Sequence, residues 1–365
     1  MNILFITNHL NIGGITSYVL TLARGLKARG HKVYIASSGG SLLPEFMQEG
    51  IIYIPIPIRT KSEASPKILA SLFKLKKAIP QNKIDILHSH SRTTQVLGCL
   101  LSRKTGIPHI STCHGFFKKR WSRKIFPCWG KKVIAISEQV RDHLRDDFKV
   151  EENSIRLIHN GIDTEKFKAQ SEERKAQIKD NLGLGDGPVV GIVARLSDVK
   201  GHKYLIEAMN MVLKKEPGAQ LLMVGEGREK KELVSLVQSL GMEKNVFFVS
   251  SVNDTKDLIS IMDLFVMPSL KEGLGLSLME AKASGLAVIG SDVGGIRSLI
   301  QNNSNGLLVR AADTAALSCA ILELLQDPKR RIFLGHNARA FIKYNFSAEQ
   351  MVSQTEEFYR ECINT

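Results

Sequence analysis

Two doubly wound α/β domains in tandem are what this sequence predicts, on three observations. The chain has 365 residues, more than one hydrophobic core usually serves. Short apolar runs alternate with helix-period segments through both halves, the pattern of a parallel sheet covered on both faces. Between the halves, residues 153–167 break the rhythm with the turn Asn160-Gly161-Ile162-Asp163. A polar, charged run with room for one helix follows at residues 171–186. The junction is placed there, giving domains 1–168 and 169–345.

In the first half the predicted strands are residues 2–7, 31–37, 51–54, 84–88, 108–113 and 132–136. Helical spacing fills residues 16–29, 65–79, 93–104 and 138–147, most clearly through Val19, Leu22, Ala23 and Leu26. In the second half the strands are residues 188–196, 219–224, 245–249, 264–267, 287–291 and 306–309. Its helices are residues 203–215, 229–240, 256–262, 276–283 and 314–326. Two further helices close the chain, 328–343 and 348–362, separated by Asn345-Phe346-Ser347. In doubly wound sheets ligands bind beyond the carboxyl ends of the strands, so the loops after strands are where chemistry is sought.

Hydrophobic content of 43% and charged content of 24% are those of an ordinary globular protein. Cys99, Cys113, Cys128, Cys319 and Cys362 are odd in number, scattered and without a C-x-x-C pair. That pattern predicts a reduced, cytosolic protein with no structural zinc or disulfide framework. Residues 1–8 form a strand-like run without a basic flank, unlike a signal peptide, and no stretch of 18 apolar residues occurs. Residues 1–165 hold 25 Lys+Arg against 12 Asp+Glu, and residues 166–365 hold 25 against 24. A basic half beside a neutral half predicts that the first domain faces an anionic partner.

The richest loop is Lys271-Glu272-Gly273-Leu274-Gly275-Leu276-Ser277-Leu278-Met279-Glu280. Glu272 and Glu280, with seven residues between them, straddle a strand-to-helix turn. Gly273 and Gly275 let backbone approach a ligand, and the first helical N–H groups can bind an anion. Acid, glycine, open amide and acid suit a sugar joined to a phosphate. After the first strand, Gly13-Gly14 opens a helix without the G-x-G-x-x-G spacing or later acid of a dinucleotide site. His114 of Thr112-Cys113-His114-Gly115 ends another strand and can bond a substrate hydroxyl. His88 and His90 project to one side of their strand, a conceivable metal pair without a third ligand. In the second half, Arg195 and Lys200 lie on one loop and can converge on a diphosphate. Gly225 of Gly225-Glu226-Gly227 would admit a nucleotide base, and Gly294-Gly295 suits either phosphate or packing. No Asp-x-Asp pair stands on these loops to clamp diphosphate through a metal. Singly, each feature has a plain alternative: a tight turn, a satisfied structural histidine, a solvated charge.

Together they resemble the large family of retaining, nucleotide-sugar-dependent glycosyltransferases with the GT-B fold (the group 1 type). The motifs stand in the family's order over nearly the whole chain: Gly13-Gly14, His114, Ala135-Ile136-Ser137, Asn160-Gly161-Ile162-Asp163, Arg195 with Lys200-Gly201, then Glu272 and Glu280. The resemblance implies two Rossmann-like domains facing a cleft, with residues 346–365 a helix crossing back to the first domain. It implies donor contacts at Gly13, Gly14, Gly225, Gly273, Leu274, Gly275, Leu276 and Glu280. His114 and Glu272 would bond hydroxyls of the transferred sugar, Arg195 and Lys200 would hold the diphosphate, and Glu280 would take the ribose. Transfer would retain anomeric configuration without metal or other cofactor, UDP being the expected nucleotide. The sequence departs from many relatives at Ile296-Arg297 and at Leu274, where Pro-Glu and an aromatic ring are common. Both departures bear on the donor sugar.

Residues 116–132 carry Lys118, Lys119, Arg120, Arg123 and Lys124 among Phe116, Phe117, Trp121, Phe126 and Trp129, with no acid. Basic and aromatic residues together suit the headgroups of an anionic membrane. The expected acceptor is therefore a saccharide or lipid-linked saccharide of lipopolysaccharide or polysaccharide synthesis, met peripherally at the inner face of the plasma membrane. The alternative is a solvated basic helix with Trp121 and Phe126 packed inward. Among rival functions, a GT-B epimerase or phosphorylase shares the nucleotide or phosphate site. A nucleic-acid-binding protein fits the basic half but leaves Arg195, Lys200, Glu272 and Glu280 unexplained, so no nucleic acid is expected.

Overall fold

The computed structural model describes residues 1–117, 123, 125–168, 170–252 and 254–364. They form two compact units: Met1–Gly161 with Ala348–Thr365, and Ile162–Ser347.

The first unit is a parallel sheet of seven strands. These are β1 (Asn2–Ile6), β2 (Lys32–Ser37), β3 (Ile52–Pro55), β4 (Ile86–Ser89), β5 (His109–Cys113), β6 (Lys132–Ala135) and β7 (Ile155–Leu157), in the order β3-β2-β1-β4-β5-β6-β7. Side chains alternate across a strand, and both faces are buried, so the central strands read as continuous apolar runs. Ile3 and Phe5 join Val19, Leu22 and Phe358 in one core, while Leu4 and Ile6 join Ile68, Leu72 and Leu97 in the other. Helices Gly14–Ala28 and Ala348–Asn364 cover the first face, and helices Pro66–Gln81 and Arg92–Thr105 cover the second. Gly25 lets the first pair approach closely: a Cβ there would stand 2.4 Å from Val352 Cγ2.

The second unit is a six-stranded parallel sheet around one core. Its strands are β8 (Val189–Val193), β9 (Gln220–Val224), β10 (Val246–Val249), β11 (Leu264–Met267), β12 (Ala287–Ser291) and β13 (Leu307–Val309), ordered β10-β9-β8-β11-β12-β13. Helix Glu172–Leu182 leads into it, started by Ser171 Oγ accepting from Arg174 N–H and ended at Gly183 in the left-handed region. Strand order reverses between β1 and β4 and again between β8 and β11, the positions where flanking loops diverge and leave room for ligand.

β7 lies within the expected break, because three residues with one apolar alternation give little period to count. Pairing of Ile155 and Leu157 with Val133 and Ala135 makes it a strand. The short helices Leu43–Gln48 and Ile296–Leu299 were likewise not foreseen. No helix among the described residues is long and apolar enough to cross a membrane.

Candidate functional site

In the second unit the loops leaving β8 and β11 meet at the reversal of strand order. Gly201 closes the β8 loop at φ 70°, and a Cβ there would lie 1.9 Å from the Pro268 carbonyl oxygen. That approach brings Lys200 Nζ onto Glu272 Oε2. Glu272 Oε1 also accepts from Gly273 N–H at 3.2 Å, and Ser269 Oγ lies 3.5 Å from Oε2. The two charged side chains are 20% and 13% exposed, so solvent screens the pair only in part. Arg195, on the same β8 loop, is exposed and has no partner among the described residues.

The loop after β12 fixes Glu272 from behind. Gly295 N–H donates to the Glu272 carbonyl at 3.1 Å. A Cβ on Gly294 would stand 2.1 Å from that oxygen, and one on Gly295 would stand 2.1 Å from the Gly273 carbonyl oxygen. Of the two roles left open for this glycine pair, close packing is the one its geometry serves. Gly295→Ala is expected to cost about 1–3 kcal/mol by overpacking and to lower activity through displaced Glu272. Thermal unfolding and steady-state rates of the one variant check both. Gly225, expected to admit a base, makes its close approach to protein: a Cβ there would meet the Ala194 carbonyl oxygen at 2.0 Å.

Gly275 at φ 97° turns the chain into helix Leu276–Ala283, whose first amides have no side-chain cap. Ser277 Oγ donates to the Val193 carbonyl at 2.6 Å and pins the helix to β8. Leu274, named with the donor contacts, is 2% exposed and anchors the turn in the core. Glu280 sits in the second turn, where Thr255 Oγ1 donates to Oε2 at 2.9 Å. Burial pushes its carboxyl up to about 7, against the opposing effects of Thr255 and Lys166. Further along the same helix, Lys282 is fully buried, with Nζ donating to the Leu299 carbonyl and, at 2.8 Å, to Asn305 Oδ1. Burial holds that amine down at about 7. Neither Thr255 nor Lys282 carried a signal in the sequence.

In the first unit, Gly13 at φ 156° opens helix Gly14–Ala28, and a Cβ there would meet no protein atom within 4 Å. His114 follows β5, its Nε2 3.1 Å from Nδ1 of the buried His90. Burial pushes His114 down to about 3, and it holds His90 well below the usual histidine range, with His88 and His114 adding to the effect. Both rings are therefore neutral near pH 7. Nε2 of His90 is buried without a partner among the described residues. A buried bare N–H is rarer than a buried bare acceptor, which makes His90 Nδ1–H the donor and leaves His114 protonated on Nδ1. On this assignment His114 offers a hydrogen-bond donor from its other nitrogen. The tautomer is read directly from long-range proton–nitrogen spectra: His90→Asn should keep it, while His90→Leu should shift His114 toward the Nε2–H form. His88, the other half of the conceived metal pair, is occupied instead by Tyr359 Oη at 2.6 Å and Thr112 Oγ1 at 2.7 Å. Among the described residues no group of three or more His, Cys, Asp or Glu is placed to hold a metal ion.

Comparison with known proteins follows the same two-unit division. Residues 12–166 match Glycosyltransferase Family 4, and residues 173–341 match Glycosyl transferases group 1. The chain is similar to the alpha-maltose-1-phosphate synthase of Mycolicibacterium smegmatis, 30% identical over 307 residues that cover 76% of this chain and 79% of that one. It belongs to the group 1 glycosyltransferases. A second relative, the UDP-Gal:alpha-D-GlcNAc-diphosphoundecaprenol alpha-1,3-galactosyltransferase of Escherichia coli, is 27% identical over 338 residues, 88% of this chain and 87% of that one. Among solved structures the fold is that of Anabaena Alr3699/HepE in complex with UDP and glucose, with a TM-score of 0.89 and 22% identity over 99% of this chain and 100% of that one. The GT-B architecture expected of a group 1 glycosyltransferase is thus the observed one.

Of the basic, aromatic segment, Lys118, Lys119, Arg120, Trp121 and Lys124 lie outside the described residues. Arg123, counted with them as surface-facing, is 7% exposed. Its guanidinium lies 3.8 Å from the Phe117 ring centroid, with Trp129 and Phe148 alongside at 5.6 and 5.8 Å. A guanidinium is weakly hydrated and stacks on aromatic faces, which is why this cation turns inward. Trp129 is itself buried.

Proposed function

We propose that this glycosyltransferase moves a hexose or N-acetylhexosamine from a UDP-sugar to a lipid-linked saccharide, retaining anomeric configuration without a metal, in cell-surface polysaccharide synthesis. The observation that carries the reading is the meeting of the β8 and β11 loops: Lys200 against Glu272, Arg195 exposed on the same β8 loop and without a partner among the described residues, and the uncapped amides of helix Leu276–Ala283. Two cations and a helix N-terminus meet the charge that grows on a departing diphosphate. Glu272 accepts from sugar hydroxyls, Glu280 accepts from the ribose, and His114 donates from Nδ1. The bond from anomeric carbon to diphosphate oxygen breaks as the acceptor oxygen bonds the same face, and the acceptor's proton passes to the leaving phosphate oxygen. UDP as carrier is supported by the names of the Escherichia coli relative and the Anabaena complex, and a diphosphoundecaprenol-linked acceptor by the former. The enzyme then works at the inner face of the plasma membrane.

Thermal-shift and calorimetric titration against a panel of nucleotide sugars tests the donor. A UDP-sugar should raise the unfolding midpoint with chelator present. Donor hydrolysis or exchange with no transfer to any acceptor would overturn the transferase reading, and loss of binding on chelation would overturn metal independence.

A further inference from the structure

Helix Pro66–Gln81 on the first unit has two apolar faces where a surface helix needs one. Ile68, Leu72, Leu75 and Ile79 are buried against the sheet. About a third of a turn round the helix from them, Leu69 is 53% and Phe73 is 72% exposed. Residues four apart are neighbours on a helix surface, and Phe73 heads the stripe between exposed Pro66 and Pro80. At 100° per residue Lys76 flanks the stripe on one side, and Lys77 and Lys74 flank it on the other. These lysines are exposed, and the helix contains no acid. Glu63, the nearest acid before it, is held by Arg92 at 2.8 Å.

We infer that this outer face seats the protein on an anionic lipid bilayer, with Leu69 and Phe73 entering the headgroup boundary and the lysines on lipid phosphates. An apolar stripe flanked by lysines on both sides, with long stems that bury while their ammonium groups stay at headgroup level, is the chemistry of an interfacial helix. The unbroken positive charge selects an anionic surface, and each lysine adds about fivefold to the affinity. The assignment rests on the peripheral-membrane reading above but on a different segment from residues 116–132.

The test uses the full chain, with co-sedimentation on vesicles of phosphatidylcholine with and without phosphatidylglycerol at low salt. The wild type should bind the anionic vesicles alone. Leu69→Ser with Phe73→Ser should weaken binding about tenfold or more, and Lys74→Gln with Lys76→Gln and Lys77→Gln by about a hundredfold. Unfolding midpoints should be unchanged, since these side chains are outside the core. If the wild type binds no anionic vesicle, the membrane reading itself fails. If it binds and the Leu69/Phe73 variant binds equally well, the helix assignment alone fails. The same holds if Lys118→Ser, Lys119→Ser and Arg120→Ser together abolish binding while the helix variants leave it intact.

Discussion

Lys200→Met should lower kcat/KM with the preferred nucleotide sugar by about 10²–10³-fold, the scale on which one preorganised charge acts on a transition state. The loss should fall mainly on kcat, because charge on the diphosphate grows as the bond to the sugar breaks. Lys200 also serves Glu272, so its removal leaves a carboxylate only 13% exposed without its cation. Glu272→Gln separates the two effects. The amide oxygen can still accept from Gly273 N–H and from sugar hydroxyls, but it forms no ion pair, and a loss of about tenfold is expected. Glu272→Ala removes both functions and should cost about 10²–10³-fold. Because the two side chains act as a unit, the double variant should lose little more than Lys200→Met alone. Full activity in Glu272→Ala would remove this carboxylate from the site.

Much of this arrangement was legible in the sequence, for a physical reason. Apolar runs of four to six residues between helix-period segments specify buried parallel strands, so β11 and the helix after Gly275 stand where residues 264–267 and 276–283 were expected. Once the topology was doubly wound, the position of Glu272, Arg195 and Lys200 on loops at strand ends followed. What spacing could not convey is which loops touch. The Lys200–Glu272 pair joins residues 72 apart, and the His90–His114 contact joins residues 24 apart. Burial that results from such contacts was equally hidden. Leu274, implied as a donor contact by the resemblance, and Arg123, counted with the membrane-side cations, are both inside, the former closing a turn and the latter stacked on rings. Exposed Phe73 was hidden for the opposite reason, since helical apolar residues are assigned to the core by default.

Glu280 should show opposite effects on stability and binding, because its carboxyl is raised from 4.5 to about 7 in the folded chain. A carboxyl that titrates higher folded than unfolded favours the fold in its protonated form. Its contribution is full below about pH 4.5 and is lost as pH rises through 7. The deficit well above pH 7 approaches about 3 kcal/mol, the worth of a carboxyl titrating near 7 rather than at 4.5. Glu280→Gln mimics the neutral acid at every pH. It should match the wild type near pH 4.5 and be the more stable protein at pH 8, with the gap opening between those values. A gap that stays constant from pH 4.5 to 8 would place the carboxyl in water. Binding should move the other way. Two ribose hydroxyls need an acceptor with both oxygens unprotonated, and the ionised form supplies four lone-pair sites where the amide supplies half as many. Glu280→Gln should therefore bind the nucleotide sugar about tenfold more weakly at pH 8, the worth of a hydrogen bond to a charged group. Binding to the wild type near pH 7 should expel a fraction of a proton, because the ligand draws Glu280 into its ionised form. A nucleotide sugar has no phosphate titrating in that range, and Lys282, also held at about 7, is common to both proteins, so the proton that calorimetry in buffers of different ionisation enthalpy reads for the wild type and not for Glu280→Gln is the one from Glu280. A carboxylate that costs the empty protein stability and recovers it on binding marks a site shaped for the bound state rather than the free one.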